Sequence, residues 1–310
     1  MDFQQIEKVK AENIPFVLDK KAFYGLVQRV ANKRYAEFIT VEQITSSSGF
    51  DEYEMSDTEN GITIKATSGV AASVAFNVYL QDICNYYVGM LTTYGTLPQN
   101  PPKIGKVIKN KSLYLYRYFL NYCTFGYTYA FYTWKDWQKV IDHMLLSGYN
   151  LVLNPVGQEC VWKQLLTELN YTEQEIEKFL VAPNFLPWQL MMNLEDYNGC
   201  YPSWWWKERI GLANKINKRL QSFGVGIMLC GYSGMVPNDF NHHFPKAKLK
   251  DQGKWCGFDR PKYLLYSDKL FKTVSRKFYR IQNKLLGKNN VHYYSSDPFH
   301  EGGITEGIGN

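Results

Sequence analysis

Residues 291–303 read Val-His-Tyr-Tyr-Ser-Ser-Asp-Pro-Phe-His-Glu-Gly-Gly, an apolar run followed by a loop that carries a carboxylate. The aromatic and β-branched start predicts a strand over residues 291–294. Pro298 and the paired glycines punctuate the loop on either side of Glu301. Because the loops that follow the strands of an α/β barrel hold its catalytic groups, we predict that Glu301 is a catalytic acid. Considered alone, a glutamate in a turn is more often an ordinary exposed residue.

Apolar runs and helical patterns alternate upstream of this stretch. Apolar residues at helical spacing begin at Trp134 and end at Gly148, and Thr172 stands at capping-box spacing before Glu175. Ser267 is the predicted cap of a long helix that Gly287 ends. The predicted strands occupy residues 113–120, 150–154, 226–230 and 291–294.

This alternation predicts an α/β fold, namely the first half of a (β/α)8 TIM-type barrel with a helical insertion after the second strand. A doubly wound open sheet is the alternative. It is disfavoured because neither a G-x-G-x-x-G motif nor a P-loop follows the first strand. We expect a truncated barrel, since the sequence stops soon after the fourth strand.

Residues 1–107 have a different pattern and are expected to form a small α+β domain. Strand-like runs occupy residues 36–45, 50–56 and 61–67, and helical spacing begins at Gly69. Prolines between residues 98 and 102, together with Gly105, then mark a boundary. Residues 108–310 are therefore assigned to the partial barrel.

The composition describes a globular protein, with 45% hydrophobic, 16% aromatic and 21% charged residues. The net charge of +6 is dispersed, so no nucleic-acid partner is expected. No apolar run approaches ~20 residues and the first residues lack an export core, which predicts no membrane partner and a cytoplasmic protein. The six cysteines lie far apart without metal-ligand spacing. We expect reduced thiols, no metal and no cofactor.

Polar groups cluster just beyond each predicted strand, where a barrel builds its site. Each group alone has an ordinary explanation, such as a helix cap or a solvated side chain. Their recurrence after four consecutive strands favours a functional site. The groups are residues 121–124, 157–159, 231–234 and 297–303.

Tryptophans are concentrated between the predicted helices. An indole face stacks well on the apolar face of a sugar ring, although filling the core is an equally good explanation for each residue. Three of them are adjacent and cannot all point inward from one helix, so at least one is expected outside the core. The residues are Trp188, Trp204, Trp205, Trp206 and Trp255.

The order of several short motifs resembles the α-N-acetylglucosaminidase family of glycoside hydrolases. No single motif is specific, but the ordered set is, and it extends over residues 36–310. Ser68-Gly69-Val70-Ala71 is similar to the family's N-terminal domain. The barrel motifs are Tyr116-Arg117-Tyr118, Asn121-Tyr122-Cys123-Thr124, Gly157-Gln158-Glu159, residues 183–188, Pro202-Ser203-Trp204 and residues 297–303.

The resemblance implies a retaining exo-glycosidase that removes terminal α-linked N-acetylglucosamine from an oligosaccharide or glycan. It implies that Glu301 is the general acid/base. It also implies a sugar pocket that contains Asn121, Cys123, Gln158, Glu159, Trp188, Met191, Asn193, Trp255 and His300.

A retaining mechanism needs a second carboxylate roughly 5–5.5 Å from the first. In the family this nucleophile lies well downstream of the residue that matches Glu301, whereas the sequence ends at Asn310. Two functions therefore stay open. The chain is either an N-terminal fragment of a hydrolase that works with a separate C-terminal half, or an inactive remnant with at most weak sugar binding.

Overall fold

The computed structural model describes residues 16–46, 48–287 and 291–307. These residues belong to two compact units. The first unit takes residues 1–119, 134–152 and 216–227, and the second takes residues 120–133, 153–215 and 228–310. Neither unit is a continuous segment, because the chain leaves the first unit and returns to it twice.

A mixed sheet of four strands dominates the N-terminal part of the first unit. The elements there are α1 (Lys20–Val30), α2 (Lys33–Phe38), β1 (Ile39–Gln43), β2 (Glu52–Asp57), β3 (Ile62–Ala66), α3 (Gly69–Val78), β4 (Tyr87–Val88), β5 (Thr93–Tyr94) and β6 (Ile108–Lys111). The strand order is β1-β3-β2-β6, with β1 parallel to β3 and the other pairs antiparallel. The fully buried side chains of Phe23, Ile64 and Phe76 show where its core lies.

The strands predicted in residues 50–56 and 61–67 are confirmed, whereas the strand predicted over 36–45 is only partly present. Residues 36–38 are helical because Asn32 caps α2, its Oδ1 accepting from the Tyr35 N–H at 3.2 Å. The predicted helix after Gly69 is confirmed as α3. Gly69 itself must be a glycine, since a Cβ there would lie 2.7 Å from the Cα of Phe223.

The second four-stranded sheet contains the strands that were assigned to the barrel. The remaining elements are β7 (Tyr118–Phe119), α4 (Tyr122–Thr124), α5 (Trp134–Leu146), β8 (Leu151–Leu153), α6 (Gln158–Glu168), α7 (Glu173–Phe179), α8 (Leu186–Leu190), α9 (Trp205–Gln221), β9 (Gly226–Cys230), β10 (Met235–Val236), α10 (Phe240–His243), β11 (Leu249–Lys250), β12 (Lys254–Trp255), β13 (Phe258–Asp259), β14 (Lys262–Leu264), α11 (Lys269–Leu285) and β15 (Val291–Ser295). The sheet order is β15-β9-β8-β7, so the strands lie side by side in chain order.

The pairing in this sheet is that of consecutive β/α units. β7 is parallel to β8, with Tyr118 opposite Leu151. The Gly226 N–H donates to the Asn150 carbonyl at 2.8 Å, and the Asn154 N–H donates to the Met228 carbonyl at 2.9 Å. Both hydrogen bonds advance along β8 and β9 together, which is the parallel pattern. The α/β fold predicted for this region is confirmed.

The first strand of this sheet is shorter than predicted, since only residues 118–119 of the expected 113–120 are extended and paired. The side chain of Asn150 makes hydrogen bonds to the backbone of residues 115 and 117, in place of the strand pairing that was predicted there. Its Oδ1 accepts from the Arg117 N–H at 2.8 Å, and its Nδ2 donates to the Leu115 carbonyl at 3.0 Å. The apolar pattern was misleading because Leu113 and Tyr114 are exposed.

The helix signals in the sequence were read correctly in most cases. The helix α5 ends before Gly148, whose φ is +84°, and Thr172 forms the predicted capping box with Glu175. The prediction that Ser267 caps the long helix α11 was wrong. Asp268 is the cap, and its Oδ1 accepts from the Leu270 N–H at 2.8 Å. A carboxylate one residue later meets the free N–H groups of the first turn.

The second unit has an aromatic core built by α6, α7 and α11. The rings of Phe179 and Phe278 lie 5.4 and 5.3 Å from that of Trp162. Of the three adjacent tryptophans, Trp205 is buried and Trp204 is 60% exposed, so the prediction that one lies outside the core is confirmed. Among the described residues, no helix is both long and apolar enough to cross a membrane.

Candidate active site

Glu301 lies in a tight loop a few residues after β15. Its φ of +49° is left-handed, and Gly302 follows with a φ of +91°. The Gly303 N–H closes the turn on the Phe299 carbonyl at 3.2 Å, and a Cβ on Gly303 would lie 2.5 Å from the Phe299 Cα. The backbone therefore forms a tight turn at Glu301, and its side chain points towards solvent. That side chain is 60% exposed.

A tryptophan indole holds the carboxylate of Glu301. The Trp255 Nε1–H donates to Glu301 Oε2 at 2.6 Å. Trp255 ends β12, which pairs with β13 through a turn whose residues, Cys256 and Gly257, have φ values of +50° and +87°. Positive φ at both positions is typical of the tight hairpin turn that matches strand twist. The hairpin thus presents the indole to the acid from a defined backbone.

Trp188 stacks beside Trp255, with ring centroids 6.4 Å apart and an angle of 26° between the planes. Trp188 lies in α8 and is 9% exposed. The ring of Tyr127 contacts that of Trp188 edge-on, with centroids 5.1 Å apart, and a Cβ on Gly126 would lie 2.6 Å from the Trp188 ring. Neighbouring indole faces of this kind suit the apolar face of a sugar ring.

His300 is fixed by the buried side chain of Asn193. The Asn193 Nδ2 donates to the His300 carbonyl at 3.1 Å, and Asn193 Oδ1 lies 3.0 Å from His300 Nδ1. Since Oδ1 can only accept, we assign the neutral imidazole its proton on Nδ1. Its Nε2 then carries a lone pair, 3.9 Å from Glu301 Oε1.

Cys123 also lies near the acid. Burial raises the pKa of the Cys123 thiol, and the negative charge of Glu301 raises it further. The thiol is therefore protonated at neutral pH and is a poor nucleophile there. Asn121, by contrast, caps the short helix α4, since its Oδ1 accepts from the Thr124 N–H at 2.9 Å.

Gln158 and Glu159 are buried at the start of α6, after Gly157 with its φ of +84°. The carboxylate of Glu159 accepts from Trp205 Nε1 at 2.9 Å and lies 3.4 Å from Arg209 Nε, both on α9. Gln158 Oε1 accepts from Gln282 on α11 at 3.0 Å. The partners of these two side chains are thus on helices, whereas the indole that holds Glu301 is on the β12–β13 hairpin.

Met191 is 2% exposed and ends α8, its N–H donating to the Pro187 carbonyl at 3.1 Å.

The structure brings six of the sequence-predicted site residues into one cluster in the second unit. They are Cys123, Trp188, Asn193, Trp255, His300 and Glu301.

Two residues of this cluster were missed in the sequence. Arg260 donates to the carbonyls of His300 and Glu301 at 3.0 and 2.6 Å. Gln252 brackets the far end of the loop, donating to the Ile304 carbonyl at 3.1 Å and accepting from its N–H at 2.9 Å. A single arginine and a single glutamine in short connections between strands carry no pattern, so no sequence signal could have found them.

Parallel strands alternate with helices here, and a carboxylic acid beside stacked indoles follows the last described strand. This arrangement defines the class of the protein, a β/α barrel domain of the glycoside hydrolase type. The comparisons with known proteins name the family. The chain belongs to the α-N-acetylglucosaminidase family, with residues 117–308 matching its TIM-barrel domain and residues 21–103 matching its N-terminal domain. The family predicted from the motifs is confirmed.

Individual relatives agree with this assignment. The chain is 29% identical over 269 residues to human α-N-acetylglucosaminidase, a match that covers 85% of this chain and 36% of the human protein. It is similar to a family 89 glycoside hydrolase from Clostridium perfringens bound to 2-acetamido-1,2-dideoxynojirimycin, with a TM-score of 0.89 and 34% identity. That match covers 93% of this chain and 33% of the other.

A second structure of the Clostridium perfringens protein carries two Glu→Gln substitutions and holds GlcNAc-α-1,4-galactose. Its TM-score is 0.89 at 32% identity, and the match covers 99% of this chain and 34% of that one. The chain thus spans about a third of the length of these relatives.

Proposed function

We propose that this chain is the part of a retaining exo-α-N-acetylglucosaminidase that carries the general acid/base, Glu301. The observation that carries the proposal is the position of its carboxyl group, exposed at the end of a β/α unit and held by Trp255 beside the indole of Trp188. An acid aimed at solvent and flanked by sugar-stacking faces is what glycosidic bond cleavage requires.

The hydrogen bond from Trp255 decides which oxygen of Glu301 carries the proton. Oε2 already accepts the indole N–H, so the acidic proton resides on Oε1. In the first step that proton passes to the glycosidic oxygen while the bond to the sugar carbon breaks and a second carboxylate attacks that carbon. In the second step Oε1 takes a proton from water as the water oxygen displaces the enzyme carboxylate.

The other clustered side chains have roles that follow from their positions. Trp188 and Trp255 offer indole faces to the ring, and Asn193 with His300 fixes the loop next to the acid. The remaining predicted pocket residues are also proposed to line the site. Asn121 and Cys123 follow β7, Gln158 and Glu159 follow β8, and Met191 follows α8. The structures of relatives with GlcNAc-α-1,4-galactose and with 2-acetamido-1,2-dideoxynojirimycin support a substrate with terminal α-linked N-acetylglucosamine.

The second carboxylate is proposed to come from a separate C-terminal part. Two observations support this: the chain spans about a third of its relatives' length, and β7 and β15 have one neighbour each among the described strands. The division into a domain of residues 1–107 and a partial barrel of 108–310 is also proposed, supported by the family matches to 21–103 and 117–308. The cytoplasmic localisation stays a prediction.

The proposal is tested by assaying the purified chain on an aryl α-N-acetylglucosaminide, alone and after fusion to the C-terminal part of the Clostridium perfringens relative. The chain alone is expected to give no turnover above background, because a catalytic unit that lacks one member loses most of its rate enhancement. The fusion is expected to be active. Turnover by the chain alone would contradict the need for a second part, and a folded but inactive fusion would favour the inactive remnant.

A further inference from the structure

Arg260 is a buried cation whose partners are main-chain carbonyls. The residue is 1% exposed and follows β13 directly. Its Nη1 donates to the Met192 carbonyl at 3.2 Å, and its Nη2 donates to the His300 and Glu301 carbonyls at 3.0 and 2.6 Å. Within the described ranges Arg260 forms no ion pair. Burying a charge without a counter-ion is costly. We therefore expect that the three carbonyls bound by Arg260 are important for the geometry of the site.

Two of the three carbonyls belong to residues in strained backbone. Met192 has a φ of +61° and Glu301 has a φ of +49°, both in the left-handed region that side-chain-bearing residues rarely adopt. Such conformations persist only where the surroundings over-determine them, and they concentrate at functional sites. One guanidinium therefore fixes the strained residue after α8 and the strained residue that carries the acid.

Several residues hold different parts of this loop, and Arg260 is the one that holds the peptide carbonyl of Glu301. Asn193 shares the His300 carbonyl with Arg260, and Gln252 holds Ile304 at the far end. The Glu301 carbonyl accepts from Arg260 at 2.6 Å. The pKa of Arg260 is lowered by burial, while the negative charge of Glu301 acts in the opposite direction. The charges of Arg260 and Glu301 therefore interact electrostatically.

We propose that Arg260 is the positioning residue of this site: it fixes the left-handed peptide of Glu301 and thereby keeps the carboxylate on the Trp255 indole. Its functional consequence rests on the proposed role of Glu301 in catalysis. A residue that only stabilised the fold would lower the melting temperature and leave the geometry between Trp255 and Glu301 intact in the folded molecules.

The geometry can be measured in the chain itself by the ¹H–¹⁵N signal of the Trp255 indole. That signal is assigned with Trp255→Phe, and Glu301→Ala gives its position without the carboxylate. Arg260→Met has similar length and no donors. We expect the Trp255 signal of Arg260→Met to move to its position in Glu301→Ala while the other indole signals stay.

A rescue variant and a control variant keep the test decisive. In Arg260→Ala, millimolar guanidinium should return the Trp255 signal towards its wild-type position, because the cation can reoccupy the carbonyl-lined space, whereas urea at the same concentration should not. Arg219→Met is the matched control. Arg219 is a partly buried arginine of the first unit, 3.1 Å from Asp142, so its loss should lower stability without moving the Trp255 signal. If Arg260→Met does not fold, the measurement is made on Arg260→Ala with and without guanidinium.

An unmoved Trp255 signal in a folded Arg260 variant overturns the proposal, as does a signal that guanidinium fails to restore. The kinetic consequence is measured separately in the active fusion. There Arg260→Met should lower kcat on the order of 10²-fold, the cost of a small misplacement, with a smaller change in KM. A moved signal with unchanged kcat would support the positioning role and contradict the catalytic role of Glu301.

Discussion

Three glutamates of the second unit occupy three environments, and the environment assigns each a different task. Glu159 is buried against the Trp205 indole and the Arg209 guanidinium, so its charge is compensated and it ties α6 to α9. Glu195 is buried with the Asn238 N–H on its carboxylate oxygens at 3.1 and 3.2 Å. Glu301 is exposed and tethered by one indole. Of the three, Glu301 is the one whose carboxylate is exposed to solvent and can exchange a proton with water.

Glu195 should make stability depend on pH. Burial raises its pKa from 4.5 to about 8, with the charges of Asp239 and Asp196 adding to the effect. The folded state therefore binds a proton more tightly than the unfolded state between these two pH values. The free energy of unfolding falls as the pH rises through that window, by about 1.4 kcal/mol for each unit of the pKa shift.

Glu195→Gln cannot ionise at this position. As the pH rises from about 6 to about 8, above the range in which burial makes Asp142 titrate, its free energy of unfolding should therefore fall much less than that of the wild type. Urea unfolding at several pH values measures both proteins. Glu177→Gln, at an exposed position of α7, is the control and should follow the wild type. A Glu195→Gln variant with the wild-type slope would show that this carboxyl group is not the titrating one.

At this scale the sequence predicts residues that carry a signal of their own. The position of Glu301 in a loop after a strand was predictable because a β-rich run precedes it and glycines follow it. The two stacked indoles were expected between helices, whereas Trp188 lies in α8 and Trp255 ends β12. Arg260 was not predictable, since its role comes from carbonyls of residues 192, 300 and 301, which are distant from it in the chain.

At the scale of the elements, hydrogen-bonding side chains set the boundaries that apolar patterns leave undefined. Asp268 starts α11 by accepting from the Leu270 N–H at 2.8 Å, and its other oxygen accepts from the Lys248 N–H at 2.7 Å. Asn150 likewise shortens the first strand of the parallel sheet. Strands β9 and β15 matched their predictions closely because their apolar runs are short and bounded by glycine or loop residues.

The assignment of the α11 cap is directly testable. Asp268→Ala removes the acceptor for the Leu270 N–H and should lower the free energy of unfolding by about 1 kcal/mol or more. Ser267→Ala, at the neighbouring position that the sequence favoured, should change it by less than about 0.5 kcal/mol. Urea unfolding of both variants separates the two. Equal losses, or the larger loss at Ser267, would contradict the assignment.

At the scale of the whole molecule, the chain spans about a third of the length of its relatives. Under the proposed function it supplies one of the two carboxyl groups that a retaining glycosidase needs. The fold class was predictable from the alternation of strands and helices, and the family from the order of the motifs. The sequence could not predict the two compact units, because residues 134–152 and 216–227 belong with the N-terminal residues through contacts that no local pattern encodes.

The proposed role of Glu301 as the general acid/base is tested by Glu301→Gln in the active fusion, with Glu306→Gln in the same loop as the control. For substrates with poor leaving groups, kcat should fall on the order of 10²–10⁴-fold, because protonation of the leaving oxygen is lost. Aryl substrates with activated leaving groups need little protonation, so their first step should be much less affected and the glycosyl-enzyme should accumulate.

The measurement that distinguishes the roles is the product formed when azide is added to Glu301→Gln. Azide needs no base to deprotonate it, so it should restore turnover of the activated substrate and give the α-glycosyl azide with retained configuration. Equal loss of kcat for good and poor leaving groups, with no rescue or with a β-glycosyl azide, would contradict the acid/base role of Glu301.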